Sequence, residues 1–198
     1  RIFPREHARG DHGRREARPF LIRPVDDDDR AAGGVAGIVQ AADHLKARQH
    51  PKLDQYEHHL FLAVRAVAVD PDDGTLAQTE VHAFLDTNWI VTVRSDSGFD
   101  LDHVVERVER SPQLLGLGAS FVLYAVLDAI VDDYFTAVEV FDEFYDDMSE
   151  GLFEERPIAQ ERQRQWFEMR RSLVHFHRTV APLREVTSAL STRWRRAV

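Results

Sequence analysis

The sequence predicts an α+β fold in which a small α/β/α-like unit is followed by a long antiparallel helical hairpin. Three apolar or alternating runs in the middle of the 198-residue chain have strand patterns. Two long stretches with helical texture follow them, the first acidic and the second rich in arginine. Strands followed by helices, without regular alternation, are typical of the α+β class.

The first 40 residues have the least regular pattern. They combine many arginines with an acidic run at 26–29 and a run of small residues, and residues 19–23 resemble a short strand. Such a composition is typical of a flexible or poorly packed lead-in. The next segment, residues 38–47, is predicted to be a short helix that carries Asp43 and ends before Pro51.

Three strands are predicted after this helix. The run Leu60–Val69 is almost entirely apolar and predicts a buried strand. Residues 71–74, Pro-Asp-Asp-Gly, predict a turn. Residues 80–85 and Trp89–Arg94 alternate apolar and polar side chains and are joined by Asp-Thr-Asn. This predicts a β-hairpin, because Asp and Asn tolerate the positive φ of a tight turn.

A shorter helix is predicted between the β-hairpin and the long helices. Asp100 or Asp102 is expected to be its N-cap, because an aspartate oxygen accepts hydrogen bonds from the first turn of a helix. Its apolar face consists of Val104, Val105 and Val108. Residues 111–118 contain Pro and Gly and are predicted to end it.

The long acidic helix, residues 119–150, contains nine Asp and Glu residues and no Gly, Pro, Lys or Arg. Its apolar positions recur at helical spacing and form one stripe, at Leu123, Val126, Leu127, Ile130 and Tyr134. No apolar run in it approaches the 18 or more residues of a membrane span. Asp128 and Asp132 are four residues apart and share a face, where like charges repel. A basic group or a metal ion is therefore expected to neutralise them.

Residues 158–196 form the second arm, with nine arginines and three acidic residues. Gly151 and Pro157 lie between the arms and are stop and restart signals. The short connection predicts antiparallel helices, with the basic arm paired to the acidic one. The alternative is two solvated faces of opposite charge. Each exposed ion pair would contribute at most ~1 kcal/mol.

Composition excludes several classes of protein. The net charge of −9 argues against a nucleic-acid partner, since phosphate binding depends on basic patches. The absence of cysteine excludes disulfides, thiol catalysis and thiolate metal sites. The sequence contains neither a signal-type nor a spanning apolar run, so we expect this polypeptide to be soluble. It begins with Arg and not Met, so we expect a processed chain or a piece of a longer one.

Carboxylates on the long helix are the best candidates for metal ligands. Aspartate is a poor helix former, and carboxylate oxygens suit hard cations such as Mg²⁺. The alternative is that Asp128 and Asp132 are ordinary surface groups facing water. Glu80 and His82 share a strand face, but two ligands without a third are weak evidence. No classical catalytic or nucleotide-binding motif occurs in the sequence, so we expect no enzymatic activity.

Three patches of the sequence resemble the CorA family of magnesium and cobalt channels. They are QHPKLDQYEHHLFL at 49–62, LYAVLDAIVDDYF at 123–135 and APLREV at 181–186. Their spacing also fits the family, and the resemblance runs over about residues 40–186. The third patch includes Pro182. Proline removes one backbone donor and is expected to bend or locally loosen the helix near Arg178. Because the resemblance includes this proline, the second long helix is still expected to be continuous.

The resemblance implies a homopentamer whose cytosolic α/β domain feeds long helices toward a pore in the cell membrane. It implies that Mg²⁺, or Co²⁺, held between neighbouring cytosolic domains keeps the pore closed. By matching position, Asp43 and Asp128 resemble the family's carboxylate ligands. His50 stands where Arg is usual. Ala42 replaces a usual partner carboxylate, so we expect a weak site, in the millimolar range.

The family's pore helices and Gly-Met-Asn signature are absent from the sequence, so we expect that this chain does not itself conduct ions. The chain then divides into an irregular segment, 1–40, an α/β subdomain, 41–118, and a helical hairpin, 119–198, that leads toward the absent pore helices. Three alternatives remain at this point. They are a zinc-transporting relative of the same superfamily, a metal-dependent hydrolase that uses helix carboxylates, and a helical adaptor that binds partners through its charged hairpin.

Overall fold

The computed structural model of the chain describes residues 50–56, 59–86, 89–151 and 159–197. Four strands precede the helices: β1 (Lys52–Gln55), β2 (Leu60–Val69), β3 (Leu76–Asp86) and β4 (Trp89–Arg94). The helices are α1 (Leu101–Glu109), a 3₁₀ helix (Pro112–Leu117), α2 (Ala119–Gly151), α3 (Gln160–Val180) and α4 (Leu183–Ala197). Strands followed by helices, the last ones forming a long antiparallel pair, confirm the predicted α+β class.

The strands form one antiparallel sheet in the order β1-β2-β3-β4. The pair Asp86↔Trp89 closes the β3–β4 hairpin and confirms the predicted strand pairing. β3 begins at Leu76, earlier than the predicted 80–85. Strand β1 was not predicted, because its sequence KLDQ has no apolar alternation. Backbone pairing with β2 at the sheet edge forms β1, as in Leu53↔Leu62.

The two faces of the sheet carry separate apolar clusters, since successive side chains of a strand point to opposite faces. Leu62 and Val64 of β2 belong to the main core, together with Val126 and Ile130 of α2. Phe61, Ala63 and Phe84 form the second cluster on the other face, with Trp89 and Val93 packed against it. The long acidic helix therefore lies against the first face, and its predicted apolar stripe is the side that is buried.

Helix α1 begins as predicted. Asp100 is the N-cap, and its Oδ1 accepts a hydrogen bond from the Asp102 N–H at 2.9 Å. Val104 and Val108 are fully buried. The Pro- and Gly-containing segment that ends α1 itself forms the 3₁₀ helix. The Gly118 N–H, at φ +77°, donates to the Leu115 carbonyl at its end.

Aromatic side chains hold the hairpin arms together. The Phe176 ring of α3 lies 5.9 Å from the Tyr134 ring and 5.6 Å from the Phe141 ring, both on α2. Nearer the connection, Arg162 forms an ion pair with Asp147 and lies 5.7 Å from the centre of the Phe144 ring. Residues later in α3 contact residues earlier in α2, which confirms that the two helices are antiparallel.

The β2–β3 turn fixes α3 to the sheet. The Ser172 hydroxyl donates to the Gly74 carbonyl at 2.5 Å, and the Gln165 amide donates to the Asp72 carbonyl at 2.8 Å. Gly74 has φ +74°, and a Cβ there would lie 3.2 Å from the Met169 backbone nitrogen. The turn predicted at 71–74 is therefore confirmed, and its glycine meets both a conformational and a steric requirement.

The second long helix is interrupted at Pro182, so the expectation that it is continuous is wrong. Helix α3 ends at Val180 and α4 begins at Leu183. The Ala181 N–H still donates to the His177 carbonyl at 2.9 Å. Proline has no N–H to donate one residue later, and its ring clashes with the preceding turn, so the hydrogen-bond ladder breaks there.

Several predictions lie outside the described residues: the strand at 19–23, the acidic run at 26–29 and the helix at 38–47 with Asp43. The division of the chain into segments 1–40, 41–118 and 119–198 stays a prediction. Within the described ranges, none of the helices has the length and apolar character needed to cross a membrane.

Candidate functional site

A charged cluster lies where α1 packs against α2. The Arg107 guanidinium of α1 forms an ion pair with Asp128 through Nη1 and with Asp132 through Nη2, the second at 3.0 Å. The Arg107 and Asp128 side chains are each 34% exposed, and that of Asp132 is 54% exposed. The cluster is therefore half-buried at the edge of the interface, where solvent and ions have access to it.

Local helix geometry produces this arrangement. Val104 and Val108 anchor α1 in the core, and Arg107 precedes Val108 at the border of that buried face. Asp128 and Asp132, one helical turn apart on α2, present their carboxylates on one side. The planar fork of an arginine can hold two acceptors at once. Arg107 thus offsets the repulsion that the two aspartates would otherwise exert on each other.

This arrangement corrects one expectation about counter-charges. The basic arm after residue 158 was expected to neutralise the acidic helix, but Asp128 and Asp132 take their counter-charge from Arg107 of α1. Pairing between the two arms occurs instead near their connection, at Arg162 and Asp147. Sequence reasoning missed Arg107 because it is 21 residues from Asp128 and belongs to another helix. The signal available was a basic residue in the last turn of α1.

A neighbouring carboxyl has a perturbed pKa. Partial burial raises the pKa of Asp133 from its usual 3.8 to about 6, and the adjacent Asp132 charge adds to the increase. His103 of α1 acts in the opposite direction. Asp133 therefore exchanges its proton at a higher pH than an ordinary aspartate, and the charge of this end of the interface depends on pH.

The structure describes only one of the two predicted metal ligands, Asp128. Asp43 lies outside the described residues, so its pairing with Asp128 stays a prediction. The Asp128 carboxylate suits a hard cation chemically, but its Oδ2 is bound to Arg107. Among the described residues, no group of three or more His, Asp or Glu side chains could hold a metal ion. These residues alone do not fit a complete magnesium site.

The second candidate pair, Glu80 and His82, has structural partners. Glu80 Oε1 lies 3.1 Å from Arg65 Nη2, and Glu80 Oε2 lies 3.8 Å from His82 Nε2. Burial lowers the pKa of His82, although the Glu80 charge opposes this. The His82 ring also packs 5.6 Å from the Phe61 ring. This pair is part of the second apolar face of the sheet and its border.

Comparison with known proteins identifies the family. The family model described as "CorA-like Mg2+ transporter protein" matches residues 36–196 of this chain. The match covers most of the chain, from the segment before β1 to the end of α4. The chain therefore belongs to the CorA-like Mg²⁺ transporter family, a family of transporters.

A curated relative agrees with this assignment. The cobalt/magnesium transport protein CorA of Thermotoga maritima is 32% identical over 149 residues, which are 75% of this chain and 42% of that protein. The chain thus spans less than half the length of this curated relative.

Two solved structures share the fold. The soluble domain of CorA from Methanocaldococcus jannaschii has a TM-score of 0.62 at 17% identity, over 86% of this chain and 68% of the other. The ZntB cytoplasmic domain from Vibrio parahaemolyticus has a TM-score of 0.59 at 9% identity, over 88% of this chain and 69% of the other. At such low identities these two likenesses concern the fold alone.

Proposed function

We propose that this chain is the cytosolic sensor and scaffold part of a CorA-like channel for Mg²⁺ and Co²⁺, and that it performs no enzymatic chemistry. The observation that carries the proposal is the family match over residues 36–196. The 32% identity to a cobalt/magnesium transport protein supports the choice of ions. The parent protein would lie in the cell membrane, with this part on the cytoplasmic side.

The proposed mechanism depends on assembly. Five copies would surround a pore, and their long helices would carry movements of the sheet-containing part toward it. Helix α2 suits this role because it runs the full length of the hairpin and is anchored in the sheet core by Val126 and Ile130. The β2–β3 turn, bonded to Ser172 of α3, would make the sheet and the second arm move together.

The regulatory site would contain Asp43 and Asp128, contributed by neighbouring subunits, with Mg²⁺ or Co²⁺ as the ligand. The partly exposed position of Asp128 at the edge of the α1–α2 interface supports access for a neighbour. Magnesium commonly uses one or two protein carboxylates and keeps several waters. With Ala42 in place of a further carboxylate, we expect a dissociation constant in the millimolar range.

The test is a thermal melting series in Mg²⁺ and in Co²⁺. At tenfold excess over Kd, one site stabilises the folded chain by about 1.4 kcal/mol. For a chain of this length that is a rise of about 3–6 °C in Tm. Asp128→Asn and Asp43→Asn should each abolish the rise, whereas Asp142→Asn, an exposed acid of α2, should keep it.

Sedimentation recorded with the melts shows whether neighbouring subunits are in place. The comparison is made at a protein concentration at which the chain is associated. Equal rises in the wild-type chain and in Asp128→Asn under that condition would show that Asp128 is an ordinary surface carboxylate. They would remove it from the proposed site.

A further inference from the structure

The two arms of the hairpin carry opposite charge but do not neutralise each other. Among the described residues, Arg162 and Asp147 form the only ion pair that joins α2 to α3. Most of the other acidic side chains of α2 and arginines of α3 are exposed. These charges therefore face outward, away from the contact between the two arms.

An exposed aromatic ring lies on the outer side of each arm. Phe135 of α2 is 64% exposed and Phe167 of α3 is 62% exposed. Each lies nine residues from a buried phenylalanine: Phe144, which contacts α3, and Phe176, which contacts α2. Nine residues are two and a half helical turns, so each exposed ring lies on the opposite side of its helix from the other arm.

Charged residues follow the two exposed rings at the same spacing, four and eleven residues later. Residues at this spacing share one face of a helix. All of them are exposed. We call the two sets the acidic side, which is Phe135, Glu139 and Asp146 of α2, and the basic side, which is Phe167, Arg171 and Arg178 of α3.

Little within the chain neutralises either side. Among the residues that the structure describes, Glu139, Asp146 and Arg178 form no ion pair. Arg171 reaches only the exposed Glu168, at 3.8 Å. Phenylalanine and arginine are enriched where protein surfaces meet, and complementary charges bring such surfaces together in a fixed orientation. The two sides therefore complement each other, but on one chain they face in opposite directions.

We propose that the basic side of one copy of the chain docks on the acidic side of a second copy. Each copy offers one side to each of two neighbours, and such a head-to-tail contact closes into a ring when its rotation permits. This inference rests on the assembly of several copies in the proposed function, and it adds a contact between neighbouring hairpins that needs no metal ion.

The direction of the contact follows from the ring. When the ring axis runs along the hairpins, α3 of one copy and α2 of the next are antiparallel. The equal spacing then sets Arg178 against the Phe135 ring, which is a cation–π arrangement. In the same register Phe167 lies beside Asp146, and Arg171 lies within one helical turn of Glu139.

The contact is small. Eleven residues span about 17 Å of helix, and we expect two helices that meet over this length to bury less than about 1,200 Å², which is typical of weak, transient interfaces. The chain is therefore monomeric in dilute solution, where its folding stability is measured. Association begins at high protein concentration, or when the membrane part of the parent protein holds the copies side by side.

The experiment is sedimentation velocity from micromolar to millimolar protein, at moderate ionic strength and with a chelator that removes divalent ions. Two variants each reverse the charges of one side: Glu139→Arg with Asp146→Arg, and Arg171→Glu with Arg178→Glu. A fourfold variant combines them. It is the matched control, because it keeps the net charge of −9 and restores complementary sides with the signs exchanged. A melt in dilute solution verifies that each variant is folded, as expected for exposed substitutions.

We expect the wild-type chain to associate as its concentration rises, and to do so less at high salt. Each one-side variant should raise the apparent Kd at least about tenfold, because like charges then face each other across the contact. An equimolar mixture of the two one-side variants should associate again, since each supplies the side that the other lacks. The fourfold variant should stay within about threefold of the wild-type Kd, because its charge pairs are the same with their signs exchanged.

Three outcomes overturn the inference. They are a wild-type chain that stays monomeric up to millimolar concentration, one-side variants that associate as the wild type does, and a mixture of these variants that does not associate. A parallel run adds vesicles of neutral and anionic phospholipid. Vesicle binding that is lost in Arg171→Glu with Arg178→Glu, without association in solution, would assign the basic side to a membrane surface and also overturn the inference.

Failure of the proposed function has a different signature. Because divalent ions are removed here, the result does not depend on Asp128. A failed metal site appears as equal rises in Tm for the wild-type chain and Asp128→Asn, and it leaves the charge-exchange result unchanged. A failed hairpin contact appears only in sedimentation of the variants with reversed charges.

Discussion

Replacing Phe176 tests whether aromatic packing holds the helical hairpin to the rest of the fold. Phe176 is 8% exposed and its ring contacts those of Tyr134 and Phe141. A buried Phe→Ala change costs about 3–5 kcal/mol, including the cavity that remains. We therefore expect Phe176→Ala to lose about 3–4 kcal/mol of stability, which lowers Tm by roughly 10 °C.

The assay is urea denaturation followed by circular dichroism, with Tm measured in parallel. Phe167→Ala is the control, because Phe167 lies on the same helix and is 62% exposed; it should change stability by less than about 0.5 kcal/mol. If both variants lose the same amount, or if Phe176→Ala loses less than about 1 kcal/mol, the hairpin is not held by this contact and its packing has been misjudged.

Two further predictions concern Asp133 and Gly74. The pKa of Asp133 is about 6 in the folded chain and 3.8 in the unfolded chain. Between these values the folded state keeps a proton that the unfolded chain releases. The free energy of unfolding therefore falls as pH rises from about 4 to 6. Asp133→Asn should therefore gain about 1 kcal/mol at pH 7 after allowance for exposure, and nothing at pH 4; a gain independent of pH in urea denaturation would contradict this. Gly74→Ala should lose about 1–3 kcal/mol from positive φ and contact with Met169. Gly116→Ala, with open space around it, is the control, and equal losses in the two melts would refute the steric argument.

The features that periodicity controls could be predicted from the sequence. The stripe through Leu123, Val126 and Ile130 identified the buried side of α2, because a helix that covers a sheet must be apolar where it touches the core. The alternation in Trp89–Arg94 identified β4 for the same reason. Strand β1 could not be predicted in this way. It forms by backbone pairing with β2, and backbone pairing does not require a particular pattern of side chains.

Two lines of sequence reasoning about Pro182 lead to different predictions. The chemistry of proline predicts an interrupted hydrogen-bond ladder, whereas the family resemblance of APLREV favoured one continuous helix. The structure has separate helices on either side of residues 181 and 182, so the local rule was the better guide. The chain still follows a helical course there, since Ala181 keeps right-handed helical backbone angles.

The charged cluster could be predicted only in part. The spacing of Asp128 and Asp132 showed that two like charges share a face and need a counter-charge. Which cation supplies it depends on how α1 lies across α2, and that is a tertiary contact between residues 21 positions apart. Sequence patterns report the period of one element and carry no such information.

The central proposal is that Asp128 binds a divalent ion together with a carboxylate from a neighbouring subunit. The most direct measurement is anomalous diffraction at the cobalt edge from crystals of the associated chain grown with Co²⁺. We predict a cobalt peak within coordination distance of Asp128 and of the neighbour's Asp43. Cobalt bound only elsewhere would contradict the account.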